Sequence, residues 1–576
     1  MAALVVILAG IALHVSAEFR VGTQEDDLVQ DIPGLFYDPG FNTYSGYLDA
    51  GTYDGHKGYM HYMFTESKSN PAADPVILWL QGGPGCSGFS GAFEENGPFY
   101  MNKDGETIYE NIYSWNARAN VIFFESPIGV GYSFLDGVEN YSTAFDNQTL
   151  QQNYNSLNAF FQKFTQYRNH TFFIAGESYG GIYLPMLGDQ LMQGIISGKF
   201  SNLNFGGIAI GNGYMDIVKL QNSLVLWSMY HGRISLSDWD TLKSDKCCEK
   251  PSGSDFDSCN FYKNAFNTTN WLDFDAQDNI CGNILRDVIK PPQRMDQYNY
   301  YEDCYTEQAI TFKGTTGRFH AGKRESLAAA QKRYHNTASV INYNSTDFQY
   351  GYPCWQETAV ASYFDRPNVQ KAFHVEPAKL AKFSDCNEPI YKQYKVTYTT
   401  TQEFFNNMIK NVAQLRLPTN FRILVYNGDV DTVCNFIGDA KFIRELANGH
   451  KFSESKRQPW IFRKKTGGFV QSYKGPSIAI DVLTVKGAGH MVPMDRPGPA
   501  LQMINALILG NGDYNNTHGV EMAPTPIPIQ LTTESNGLTS QNTTEGTYES
   551  TTKGIPSVHL PFVVFVTTLL FTLFLQ

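Results

Sequence analysis

The pentapeptide Gly176-Glu177-Ser178-Tyr179-Gly180 constrains this chain more than any other feature. A G-x-S-x-G element works at a sharp, strained turn from strand to helix, which lifts the serine hydroxyl clear of a sheet. Its flanks fit that geometry. Thr171–Ala175 is a short apolar run that reads as a strand, and Gly181–Gln193 carries the residues of a helix. The pentapeptide alone is weak, because a chain of this size and glycine content holds one by chance roughly one time in three or four.

Two further strands supply what a serine nucleophile lacks. Ile423–Tyr426 is apolar and runs on through Gly428 and Asp429 to Asp431; Ile480–Val485 is largely apolar and leads through Gly487 and Gly489 to His490. A serine hydroxyl attacks only if a base takes its proton. His490 is expected to be that base and then the acid for the leaving group, with Asp431 holding the imidazole tautomer and stabilising its cation. Asp429, two positions earlier, is the competing acid. The order Ser, Asp, His along the chain is that of α/β-hydrolases and differs from the chymotrypsin and subtilisin orders. His56 and His61 lack metal-ligand spacing and no H-E-x-x-H occurs, so neither a metal nor another cofactor is expected.

The wider pattern agrees with such a core. Short apolar runs at Pro75–Leu80, Asn120–Phe124, Thr171–Ala175, Phe205–Ile210 and Ile423–Tyr426 are bounded by Gly, Pro or Asn and alternate with helical stretches. They predict a mostly parallel sheet with helices on both faces, over residues 18–216 and again over 401–514. Between 217 and 400 the pattern breaks into clustered cysteines and polar helical stretches. Within it, Lys313–Arg333 is basic and glycine-bearing and reads as an exposed loop.

Residues 1–17 read as a secretory signal, with an apolar stretch too short to span comfortably and a small-residue site at Val15-Ser16-Ala17. Sequons at Asn140, Asn147, Asn169, Asn267, Asn344, Asn515 and Asn542 are compatible with secretion. Nine cysteines in such a chain imply disulfides and one leftover thiol. Residues 515–552 read as a disordered stalk, since twelve of the 28 residues from Thr525 to Thr552 are Ser or Thr. Residues 553–576 form an apolar tail with no following Lys or Arg, which reads as a GPI signal ahead of a retained membrane anchor. The net charge of −12 and the lack of a dense basic patch argue against nucleic acid as a partner.

Trp79–Ser87, Glu125–Ser133, Gly176–Gly181, Tyr426–Asp431 and Gly487–Pro493 together, in that order, resemble the motifs of the serine carboxypeptidases. The resemblance implies an α/β-hydrolase fold in which 217–400 is a cap insertion shaping the substrate cleft. It implies release of C-terminal residues from peptides through an acyl-enzyme at acid pH. The oxyanion donors would be the backbone N–H groups of Gly83 and Tyr179. Gln81, Glu95 and Glu177 would read the substrate carboxylate, the two acids sharing a proton because both cannot readily ionise at close quarters. Gln81 departs from the family's usual Asn by one methylene, which could shift that recognition. Glu94 is expected to be solvated or to line the S1′ region, and Met491 to form an apolar S1′ wall that favours hydrophobic C-terminal residues over basic ones.

The resemblance also suggests the disulfides Cys86–Cys386, Cys247–Cys281, Cys248–Cys259 and Cys304–Cys354, with Cys434 free, and proteolytic processing within the cap. Expected partners are peptides or proteins with a free C-terminus, a membrane through the tail, and a second copy in a homodimer. The expected location is the secretory pathway, at a lysosome or the outer face of a membrane. An esterase or acyltransferase with the same triad, and a non-catalytic binding ectodomain, are the competing readings.

Overall fold

The apolar runs become the centre of a twelve-stranded sheet because both of their faces are covered. The structure is a computed structural model describing residues 19–248, 259–292, 295–301, 309–312, 315–318, 355–376, 382–415, 421–510 and 512–521. Its main strands are β1 (Thr43–Tyr53), β2 (His56–Thr65), β3 (Val76–Leu80), β4 (Asn120–Phe124), β5 (Thr171–Ser178), β6 (Asn204–Gly213), β7 (Phe421–Gly428), β8 (Lys465–Lys474) and β9 (Ile478–Val485). They lie in the order β1-β2-β4-β3-β5-β6-β7-β9-β8. The pairs from β4 through to β9 are parallel. The pairs at either side are antiparallel.

Side chains along the central strands alternate between two cores. Val76, Leu78, Ile174, Ile423 and Val425 join one cluster, with Leu157 of α1 (Asp146–Lys163), Leu184 of α2 (Gly180–Ile196), Met408 of α3 (Gln402–Val412) and Ile443 of α4 (Phe436–Gly449). Ile77, Trp79, Ala175, Leu424 and Tyr426 join the other, with Leu501 and Ile504 of α5 (Pro497–Ile508). Period-two alternation into two dry faces explains why these strands are apolar at every position. Each fully buried large side chain gains about 1.5–3 kcal/mol over its exposed state.

The sequence reading missed β1, β2 and β8. These are the antiparallel flanks, and β8 alternates buried with exposed residues, so its lysines and glycines hide the strand. Between 217 and 400 the described regular elements are helices, apart from the short pairs Phe266–Asn267 with Asp275–Ala276 and Ala309–Phe312 with Thr315–Arg318. The second pair corrects part of the loop expected at Lys313–Arg333. Ile310, Thr311, Thr315 and Thr316 are β-branched residues that favour strands.

The signal segment, Cys304, Cys354, Asn344, Asn542, the stalk and the apolar tail lie outside the described residues. Among the described residues no helix is long and apolar enough to cross a membrane. Asn140, Asn147, Asn169, Asn267 and Asn515 are all exposed.

Candidate active site

Strand β5 ends on Ser178, whose φ of 55° puts a non-glycine residue in the left-handed region. Strain of this kind persists only where the surroundings over-determine it. Here the loop after β3 presses on the turn. A Cβ on Gly82 would stand 2.6 Å from the Ser178 Cβ and 2.9 Å from the Tyr179 nitrogen, so only glycine allows the approach. Gly83 follows with φ 108°.

Strands β7 and β9 run side by side, so the loops beyond their ends meet next to Ser178. The Nδ1 of His490 lies 2.8 Å from Oδ2 of Asp431. That carboxylate also accepts from Asn212 Nδ2 at 2.8 Å, Cys434 N at 3.0 Å and Val433 N at 2.8 Å. The His490 backbone N–H donates to the Tyr298 carbonyl at 2.7 Å. Burial pulls the imidazole pKa down, but the charge and hydrogen bond of Asp431 outweigh it and hold His490 above its ordinary value. Asp429 instead accepts from Gly487 N at 2.7 Å, so it is Asp431 that faces the histidine. Cys434 is a free, buried thiol beside Ser178, and burial pushes its pKa well up.

A cleft of about 820 Å³ gathers Ser178, His490, Gly83, Tyr179 and Met491 on one wall system with Gln81, Glu95 and Glu177. Gln81 Nε2 donates to Oε1 of Glu95 and Oε1 of Glu177, each at 2.9 Å. Its own Oε1 accepts from Trp79 Nε1 at 2.7 Å, which fixes the amide with its donors toward the acids. Burial pushes Glu95 up; burial and then the charge of Glu95 push Glu177 well up. The pair therefore holds a proton above the ordinary carboxyl range, and a side-chain hydrogen bond joins the two carboxyls. Glu94 is buried, not solvated, because the turn Gly91–Glu95 tucks it inside the cleft.

Among the described residues three disulfides join Cys86 to Cys386, Cys247 to Cys281 and Cys248 to Cys259. Disulfides belong to an oxidising compartment such as the secretory pathway. The first seats residues 385–387 against the glycine turn, where Ser87 N donates to Asp385 O at 2.7 Å and Asn387 N to Gly85 O at 2.9 Å. Among the described residues no group of His, Cys, Asp or Glu is arranged to hold a metal ion.

Sequence reasoning missed several supports. Asn212, at φ 38°, holds Asp431 with its amide and accepts from Gly428 N at 3.0 Å. Its signal was a Gly-Asn-Gly triplet closing an apolar strand beside the acid-bearing one. Asp495 accepts from Gly489 N at 2.7 Å and steadies the histidine loop. Tyr298 comes from the 217–400 segment and carries no local signal.

The serine carboxypeptidase family profile matches residues 33–510. The Caenorhabditis elegans serine carboxypeptidase ctsa-3.1 is 43% identical over 536 residues, covering 87% of this chain and 91% of that protein. The lysosomal protective protein of Mus musculus is 33% identical, covering 84% and 94%. The solved structure of Kex1(delta)p, a prohormone-processing carboxypeptidase from Saccharomyces cerevisiae, shares the fold with a TM-score of 0.60 at 20% identity, covering 85% of this chain and 97% of that one. With a match over most of its length, this chain belongs to the serine carboxypeptidase family.

Proposed function

We propose that Ser178, Asp431 and His490 are the catalytic triad of a carboxypeptidase that removes C-terminal residues, apolar ones preferred, from peptides in acid. The observation that carries this is a single cleft holding both the Asp431-bound histidine beside Ser178 and the Gln81-bound pair Glu95 and Glu177. The shared proton of the pair donates a hydrogen bond to the substrate's terminal carboxylate, which places the last peptide bond at Ser178. His490 takes the Ser178 proton as Oγ attacks the carbonyl carbon. The N–H groups of Gly83 and Tyr179 receive the oxyanion, where losing one donor typically costs ~2.7–4 kcal/mol of transition-state stabilisation. His490 then gives its proton to the departing amine, and water releases the acyl group by the same steps.

The test is C-terminal sequencing of peptides after incubation with the purified ectodomain at about pH 5, together with two pH profiles. Peptidase kcat/KM should fall as the Glu95–Glu177 proton is lost, whereas blocked esters, which need no carboxylate reader, should hold or rise toward neutrality with deprotonation of His490. Superimposed profiles would remove the carboxylate-reading role and move the esterase or acyltransferase reading ahead. We also assign the apolar tail to GPI attachment at the outer or lumenal face of a membrane. Release from cells by phosphatidylinositol-specific phospholipase is expected; an intact C-terminal peptide left in the membrane fraction would count against it.

A further inference from the structure

The cleft carries more acid than the proposed reaction uses. Glu94 and Asp385 line it, yet neither belongs to the triad or to the Gln81-bound pair. Each keeps a buried oxygen without a hydrogen-bond partner among the described residues, Oε1 of Glu94 and Oδ1 of Asp385. Glu94 is only 6% exposed, and its backbone carbonyl is pinned by Gln356 Nε2 at 3.2 Å. Asp385 is set in place by the neighbouring Cys86–Cys386 disulfide and by the backbone bond from Ser87. Leaving a buried carboxyl oxygen unsatisfied costs free energy, so two of them on one cleft wall ask for a donor from outside the chain.

We propose that Glu94 and Asp385 line the pocket for the side chain of the substrate's C-terminal residue, and that in their ionised form they take the ammonium of lysine or the guanidinium of arginine. This rests on the carboxypeptidase reading above and deepens it. Glu94 directly precedes Glu95, the charge of Asp385 acts on Glu94, and the charge of Glu95 acts on both. A carboxylate held at Glu95 and Glu177, with its carbonyl at Ser178, leaves the side chain of the same residue beside them. Met491 and Met494 on the same cleft suit either an apolar side chain or the methylene stem of a basic one.

The preference should therefore depend on pH. Burial pushes Glu94 well above the ordinary carboxyl range, helped by Asp385, Glu95 and Glu357; burial and then Glu357 and Glu95 bring Asp385 to about 7. In acid both are neutral and the pocket suits apolar residues. Toward neutrality it becomes anionic. The other acidic groups and the histidine on the cleft are Glu95, Glu177 and His490 within, and exposed Asp273, Glu357 and Glu388 at its rim. Lys392 pairs with Glu388, and Lys290, the one Lys or Arg among the described lining residues, pairs with Asp275.

The test compares N-blocked dipeptides ending in Arg or Leu across pH 5 to 7.5. Both need the Glu95–Glu177 proton equally, so the ratio of their kcat/KM values cancels it. The Arg/Leu ratio should rise about tenfold or more over that range, as a charge-assisted contact forms. The rise should shrink to a few-fold in Glu94→Gln and Asp385→Asn and vanish in the double variant. A flat ratio in the unaltered enzyme, or an undiminished rise in the double variant, overturns the proposal. Inhibition of the unaltered enzyme by free arginine and free leucine gives the same ratio without substitution, so a variant that fails to fold leaves the proposal falsifiable. Release of Leu with a flat ratio sinks this pocket alone; no release from either dipeptide sinks the carboxypeptidase reading with it.

Discussion

At the scale of residues, the site depends on groups that act as one unit. Ser178→Ala and His490→Ala should each lower kcat by about 10⁴-fold or more, and Asp431→Asn by about 10⁴-fold through the wrong imidazole tautomer. Melting temperatures should change little, since none of these side chains is part of the apolar cores. Normal turnover by Ser178→Ala would end the triad assignment. Glu177→Gln belongs to the same scale. Gln81 keeps Glu95 as a partner, but the shared proton is gone, so acid-pH peptidase activity should weaken mainly through KM while ester hydrolysis is spared. An equal loss on both substrates would mean that Glu177 supports the elbow rather than the substrate.

At the scale of elements, the elbow and the glycine turn are two pieces of backbone fitted against each other. Gly82→Ala would place a Cβ 2.6 Å from that of Ser178, closer than real Cβ atoms approach, so the turn or the elbow must move. Displacements of about 1 Å at reacting groups can cost about 10²-fold in rate. Gly82→Ala should therefore lose about that much kcat or more and keep most of its stability. Gly449→Ala is the control, because its Cβ would meet nothing within 4 Å. Similar activity in the two variants would refute the packing argument. Leu78→Ala, at the centre of β3, should instead cost about 2–5 kcal/mol of stability, measured by denaturant unfolding.

At the scale of the whole molecule, many buried carboxyls hold protons that the unfolded chain would have lost. Burial brings Asp385 and Asp495 to about 7 and Asp439 to about 8. Glu94 and Glu177 are raised for the same first cause. Where the native state binds more protons, stability falls as pH rises. These groups therefore stabilise the fold below the ordinary carboxyl range, and their contribution drains away up to pH of about 8. His490, raised by Asp431, works in the same direction. The melting temperature should be higher near pH 5 than near pH 8; an equal or lower value near pH 5 would contradict these assignments.

Contiguous residues were enough to determine the elbow at Ser178, the central strands and the Ser, Asp, His order, because each is a local pattern of apolar period and turn chemistry. The antiparallel flanks were not legible, since a half-solvated strand mixes lysine and glycine into its pattern. The motif pattern already preferred Asp431 over Asp429, but only tertiary structure supplies the physical reason, which is where Gly487, Asn212 and the neighbouring amides lie. Only it buried Glu94 and brought Asp385 to the same wall across a disulfide. Burial and through-space charge set what a carboxyl does, and neither is a property of neighbours in sequence.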